Sequence, residues 1–150
     1  MIPKTKLITG LATSLILGLL GETSVIAQDI YIDSNCKQNQ QLAEFDRFTV
    51  MYKSEFQTNG KIYWLYSGQY IDGSSIVCIS RTGFRQAKLL NIQQIQSGYV
   101  EKISKSPRNR TTFFVTVRYG NGSDVPTTQY QLNLSTPEKP VITKLRSWKS

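Results

Sequence analysis

The chain contains no histidine among its 150 residues. Histidine serves as the base in Ser-His-Asp and Cys-His catalysis, and it is the commonest protein ligand for zinc and copper. Its absence excludes those mechanisms, together with c-type haem attachment. The sequence also lacks a Gly-rich phosphate loop, because Gly120-Asn121-Gly122 has neither the spacing nor the following helix. We therefore expect no cofactor and no metal site, and we assign no catalytic residue.

Carboxylates are scarce, with nine Asp and Glu residues after position 27. A glycosidase needs two of them facing each other across a cleft. Asp72 and Asp124 lie in turn sequences, where Asp is favoured for local hydrogen bonding. None of the nine lies in a recognisable motif. A carboxylate-dependent hydrolase acting on envelope glycans therefore stays open only as an alternative.

The chain has one long hydrophobic run, residues 7–21, and no second one. Lys4 and Lys6 precede this run, and Val25-Ile26-Ala27 follows it with residues suited to signal peptidase. This is the layout of a secretory signal peptide. The run is shorter than the roughly 20 residues that a membrane-spanning helix needs. We expect cleavage after Ala27, a single exported domain of residues 28–150 without a transmembrane segment, and a periplasmic or extracellular location. An uncleaved membrane anchor is the alternative.

Only two cysteines are present, Cys36 and Cys78. An even number of cysteines in an exported chain favours a disulfide. A bridge between them would close a loop of about 43 residues, which contributes roughly 4 kcal/mol in the chain-entropy treatment. Two unpaired buried cysteines are the alternative. No C-x-x-C motif indicates a redox-active pair.

From residue 48 the apolar residues recur with a period of two, the pattern of β-strands. Asn59-Gly60 and Asp72-Gly73 are hairpin signals, so residues 48–80 are predicted to form a three-stranded meander. Residues 81–98 fit both helical and strand spacing, and we expect a strand or an irregular edge there. A short helix ending near Phe45 is also predicted. The later strands are predicted at residues 99–104, 113–119, 129–134 and 141–148.

This succession of evenly spaced strands predicts a mostly β fold. We expect a single antiparallel β-sandwich or small barrel-like meander, with a short N-terminal helix as its helical part.

Positive charge is the main functional signal. The formal net charge is +8, and +7 without the predicted leader. Five basic residues fall within 17 positions, interleaved with aromatic residues that could stack beside them. We take them as candidate anion-binding residues: Lys102, Lys105, Arg108, Arg110 and Arg118. Solvent-facing positions on amphipathic strands are the alternative interpretation.

These features favour a non-catalytic exported binding module for an anionic polymer or a cell-envelope component. The expected partner is an acidic polysaccharide, a lipid headgroup or an acidic protein, and nucleic acid is not excluded. Besides the hydrolase, a structural or assembly subunit that pairs through an edge strand is an alternative. The sequence does not indicate an oligomeric state.

Overall fold

A computed structural model describes residues 27–150. The predicted signal peptide, residues 1–27, lies outside the described residues except for Ala27. Within the described range the chain is mostly β, with nine strands in two antiparallel sheets, which confirms the predicted fold class. The strands are β1 (Tyr31–Ile32), β2 (Phe48–Thr58), β3 (Lys61–Gln69), β4 (Ser75–Arg81), β5 (Arg85–Leu89), β6 (Tyr99–Lys105), β7 (Thr112–Arg118), β8 (Pro126–Asn133) and β9 (Val141–Lys149).

Helical structure is limited to short pieces in this part of the chain. The only α-helix there is the single turn α1 (Gln93–Gln96), and two further turns are of 3-10 type, Glu44–Asp46 and Thr82–Phe84. None of the described residues forms a helix long and apolar enough to cross a membrane.

Sheet A contains β1 to β5 in chain order. Asn59 and Gly60 both have positive φ, 51° and 69°, and they form the tight turn between β2 and β3. Between β3 and β4, Asp72 accepts a hydrogen bond from the Ser74 amide at 2.8 Å, and Gly73 has a φ of 90°. Both predicted hairpins, and the meander of residues 48–80, are thereby confirmed.

Sheet B contains β6 to β9, also in chain order. In β7 the large apolar side chains Phe113, Val115 and Val117 lie on one face and are fully buried. In β8 the buried Leu132 lies opposite Phe113 and the buried Tyr130 lies opposite Val115. The four predicted strands of this half are all present, with bounds shifted by one to three residues.

The main hydrophobic core lies between the two sheets. Leu65, Val77 and Ile79 of sheet A belong to the same buried cluster as Phe113 and Leu132 of sheet B. The rings of Phe56 and Phe113 meet edge to face across the interface, with centroids 5.7 Å apart. Each sheet thus buries one face against the other, as in a β-sandwich.

The second face of sheet A is covered by the N-terminal segment, residues 29–47. Cys36 and Cys78 form the predicted disulfide, with their Cα atoms 5.9 Å apart. The buried Tyr66 hydroxyl donates a hydrogen bond to the Cys36 carbonyl at 2.7 Å, and Ile32 packs beside it. The short helix predicted before Phe45 is reduced to the single 3-10 turn Glu44–Asp46.

The ambiguous region of residues 81–98 contains one strand and one helical turn. β5 forms the outer edge of sheet A, which agrees with the expected edge strand. α1 follows it and buries Ile95 against the main core. Both kinds of element that the sequence allowed therefore occur, one after the other, but the strand ends at Leu89 and the helix is a single turn.

Candidate functional site

Three of the five candidate anion-binding residues lie together at the hairpin between β6 and β7. Lys105, Arg108 and Arg110 are exposed at this turn, which we call the basic hairpin tip. The Ser106 hydroxyl shapes the turn by accepting the Arg108 amide at 3.2 Å. The Lys105 Nζ donates to the Glu55 carbonyl at 2.6 Å, so this ammonium is held against sheet A. Arg108 and Arg110 keep their guanidinium groups in solvent.

The other two candidates lie elsewhere. Arg118 is paired with Tyr99 at the far end of the β6–β7 hairpin, six residues along the strand from Lys105, or about 20 Å. Its guanidinium donates to the Gly122 carbonyl and so holds the following loop. Lys102 lies opposite Thr116, on the rim of a cleft between the sheets. The five residues therefore do not form one surface.

That cleft has a volume of about 370 Å³ and opens where two strands bulge. Met51 sits at the β2 bulge and Glu101 at the β6 bulge. On its floor the Ser75 hydroxyl accepts the Val100 amide at 3.0 Å, which ties the two sheets together. One carboxylate and one ammonium, from Glu101 and Lys102, line it, so the cleft has no net charge of its own.

A second concentration of positive charge was not predicted from the sequence. Tyr63 of β3, Arg81 of β4 and Arg85 of β5 lie directly opposite one another in register. Lys61 lies two residues before Tyr63, and Lys88 pairs with Ile79 of β4. We call this group the basic pocket, defined by Lys61, Arg81, Arg85 and Lys88.

The turn that creates the basic pocket has an unusual backbone. Gly83, Phe84 and Gln86 have φ angles of 76°, 59° and 52°. For Phe84 and Gln86 this conformation is strained, and such strain persists only where the surroundings enforce it. The Phe84 ring packs edge-on against Trp64 and Tyr66, each with centroids 5.1 Å apart. This packing turns the chain back so that Arg85 faces Arg81.

The charges in the basic pocket are poorly compensated. A depression of about 170 Å³ is lined by Lys61, Arg81 and Lys88, and its one carboxylate is Glu138. An adjoining depression of about 290 Å³ is lined by Arg81, Arg85 and Gln86. The Arg81 Nε is buried without a hydrogen-bond partner, and its guanidinium lies 5.1 Å from the centre of the Tyr63 ring.

The third basic group lies on the last strand and its approach, at Lys139, Lys144, Arg146 and Lys149. Lys149 lies 3.8 Å from Asp124, and both side chains are largely exposed. The Arg146 Nε donates to the Gln129 side chain at 3.1 Å and its guanidinium lies 5.1 Å from the Trp148 ring centre. These charges are spread along β9 and the segment that precedes it.

Three of the nine carboxylates in the described range, Asp33, Asp72 and Asp124, have partners, and these are separate from one another. Asp33 accepts the backbone amides of Asn35 and Lys37, each at 2.9 Å. Hydrogen bonds from Ser74 lower the pKa of Asp72, as expected in such a turn. Over residues 27–150, no three Cys, Asp or Glu side chains gather where they could hold a metal ion. No observation supports a catalytic carboxylate pair.

Two tyrosines form a hydrogen-bonded pair at the edge of the main core. The hydroxyls of Tyr119 and Tyr130 are 2.6 Å apart, and Tyr119 also lies 2.6 Å from the Gln94 carbonyl. Burial raises the pKa of Tyr119 well above its usual value, with the Tyr130 hydrogen bond contributing in the same direction. Tyr119 is therefore neutral at physiological pH, and its hydrogen bond to Gln94 holds α1 against sheet B.

Comparisons with protein-family models, curated proteins and solved structures found no match to this chain. Its function is therefore inferred from its own residues.

The basic pocket was missed for a physical reason. Arg81 and Arg85 flank Thr82-Gly83-Phe84, and a glycine between two short apolar stretches is a turn signal. Recognising a hairpin there would have placed the two arginines opposite each other. The helical spacing of Leu89, Ile92 and Ile95 in the same region obscured that signal.

Proposed function

We propose that this protein is an exported, non-catalytic binding module for an anionic polymer or another anionic component of the cell envelope. Sixteen of its 18 Lys and Arg residues lie in the described range. In that range a single ion pair forms, between Lys149 and Asp124. This uncompensated positive charge is the observation that carries the proposal.

Export is supported by the disulfide, since such bonds persist in oxidising compartments. It is supported further by the signal-like sequence of residues 1–27. An anionic envelope component is the ligand that an exported cationic domain meets at high local concentration. Acidic polysaccharide, lipid headgroups and acidic proteins all satisfy this requirement.

The basic hairpin tip is suited to the first contact with such a ligand. Arg108 and Arg110 are exposed at a turn that Ser106 holds in shape, and Lys105 lies beside them. Exposed cations at a protruding turn attract a polyanion over roughly one Debye length, about 8 to 10 Å at physiological ionic strength. Their contribution therefore falls as salt is added.

The test is retention of the disulfide-bonded protein on an immobilised polyanion over a salt gradient. The Lys105→Ser/Arg108→Ser/Arg110→Ser variant should elute at clearly lower salt than the wild type. A control that removes three dispersed charges, Lys37→Ser/Lys139→Ser/Lys144→Ser, should shift elution less. Unchanged retention of the hairpin-tip variant would overturn the proposal. Equal shifts of both variants would assign retention to net charge instead of the tip.

A further inference from the structure

We infer that the basic pocket binds one phosphate group, either free phosphate or a terminal phosphomonoester on a larger molecule. This inference rests on the proposed function, and it assigns a defined site and a ligand chemistry within it. It concerns Lys61, Arg81, Arg85 and Lys88, which lie outside the basic hairpin tip.

The number of charges favours a dianion. Three cations and one carboxylate, Glu138, line the 170 Å³ depression, and Arg85 adds a fourth cation on the other side of Arg81. A carboxylate or a sulfate ester brings a single negative charge. A phosphomonoester carries about −1.5 to −2 at pH 7, which matches this excess more closely.

The opposed arginines are only partly satisfied by the described part of the protein, because the Arg85 Nε donates to the Thr82 carbonyl at 2.9 Å while Arg81 lacks such a bond at its Nε. Arg81 and Arg85 lie directly opposite on neighbouring strands, an arrangement that is unfavourable for like charges. The Arg81 Nε has no acceptor among the described residues. A phosphate bound against the two guanidinium groups would screen this repulsion. Its oxygens would also suit the planar guanidinium fork, which binds phosphate through two parallel hydrogen bonds.

The shape of the pocket favours a terminal group over an internal one. A depression of 170 Å³ admits a phosphate with a small part of its carrier. The adjoining 290 Å³ depression, reached past Arg81, is open to receive a sugar or similar polar group. Arg81 and Gln86 line both spaces, so an unbroken chain of phosphodiesters would have to pass these two side chains.

The inference is tested by thermal unfolding of the disulfide-bonded protein at constant ionic strength. Inorganic phosphate should raise Tm relative to chloride by several degrees once its concentration is about 100-fold above Kd. The Arg85→Gln and Lys88→Gln variants should lose this rise. Arg108→Gln, which removes the same charge from the basic hairpin tip, should keep it. Two pocket variants are used so that a folding defect in one does not decide the result.

Equal Tm values for the wild type in phosphate and in chloride would overturn the inference. If the wild type then still binds the polyanion column to high salt, the proposed function stands and only the phosphate site is lost. A hexose phosphate that stabilises more than inorganic phosphate would identify a terminal monoester, and the reverse order would identify free phosphate. A dinucleotide phosphodiester that matches both would contradict the preference for a terminal group.

Discussion

The two sheets differ in how many of their faces are covered. In β4 of sheet A, Val77, Cys78 and Ile79 are buried in succession, because neighbouring residues point to opposite faces and both faces are packed. In β8 of sheet B, buried Tyr130 and Leu132 alternate with half-buried glutamines. A continuous run of buried apolar residues thus marks sheet A, which is packed on both faces between sheet B and the N-terminal segment. Alternation of buried and half-buried residues marks sheet B, which has one face in solvent.

The two layers that cover sheet A, sheet B on one face and the N-terminal segment on the other, are held in place in different ways. Sheet B supplies one cover with a large apolar core. The N-terminal segment supplies the other with few apolar residues, and it relies on the disulfide and on the Tyr66 hydrogen bond to stay in place. The main core is therefore held by burial, and the N-terminal cover is held by covalent and polar links.

The sharpest test of the one-sided burial of sheet B compares two adjacent phenylalanines. Phe113 is fully buried against Phe56, whereas Phe114 lies half-buried on the opposite face. Phe113→Ala should cost about 3 to 5 kcal/mol of unfolding free energy, since it removes a buried ring and leaves a cavity. Phe114→Ala should cost much less. Equal losses in urea unfolding would mean that both faces of sheet B are covered.

The disulfide should make the next largest contribution to the unfolding free energy, and it links the N-terminal segment to sheet A. The Cys36→Ser/Cys78→Ser variant should lose roughly 4 kcal/mol, because the unfolded chain regains the freedom of a loop of some 43 residues. Urea unfolding of the wild type with and without a reductant provides a second measure. A loss below about 1 kcal/mol would show that packing alone holds the N-terminal segment.

Removing the Tyr66 hydroxyl should have a smaller effect on the unfolding free energy, and this effect should depend on pH. Tyr66→Phe leaves the buried Cys36 carbonyl without its donor, which should cost about 1 to 3 kcal/mol. Gln131→Ala, on the uncovered face of sheet B, should change stability by about 0.5 kcal/mol or less. If the two substitutions cost the same unfolding free energy, the packing of the N-terminal segment on sheet A contributes no more to stability than a solvent-facing surface does.

Burial raises the pKa of Tyr66 to about 12 from its usual value of 10.0. The folded protein therefore holds this proton more tightly than the unfolded chain does. The associated stability is intact below pH 10 and is lost as the pH rises toward 12. Tm measured across this interval should fall more steeply for the wild type than for Tyr66→Phe. If Tm fell equally with pH in the wild type and in Tyr66→Phe, the loss of stability would not come from Tyr66.

Much of the fold followed from local pattern. The Asn59-Gly60 and Asp72-Gly73 pairs indicated their hairpins, because each supplies positive φ where a tight turn requires it. The Cys36–Cys78 bridge followed from having one possible pairing in a chain that we expect to be exported. These features depend on residues adjacent in the sequence or on the number of cysteines, and both can be read from a single sequence.

The candidate site was less predictable. The basic residues from Lys102 to Arg118 are close in sequence, but their hairpin places Arg118 about 20 Å along the strand from Lys105. Arg81 and Arg85 meet because Phe84, a residue that disfavours positive φ, is forced into it by packing against Trp64 and Tyr66. Gly83 is a local signal of the turn, but the packing that forces Phe84 into positive φ is tertiary and shows in no local pattern.

The last strand, β9, affects whether copies of the protein associate with one another. β9 is an edge of sheet B, and it exposes Val141, Leu145 and Trp148 by 58, 45 and 36%. Two copies that met along this edge would bring Lys144 and Arg146 together, and charge of this kind protects open edges from pairing. A dense polyanion neutralises such charge. A polyanion of the kind proposed above would therefore also remove the protection against self-association, and copies bound to one polymer should associate more readily than copies free in solution.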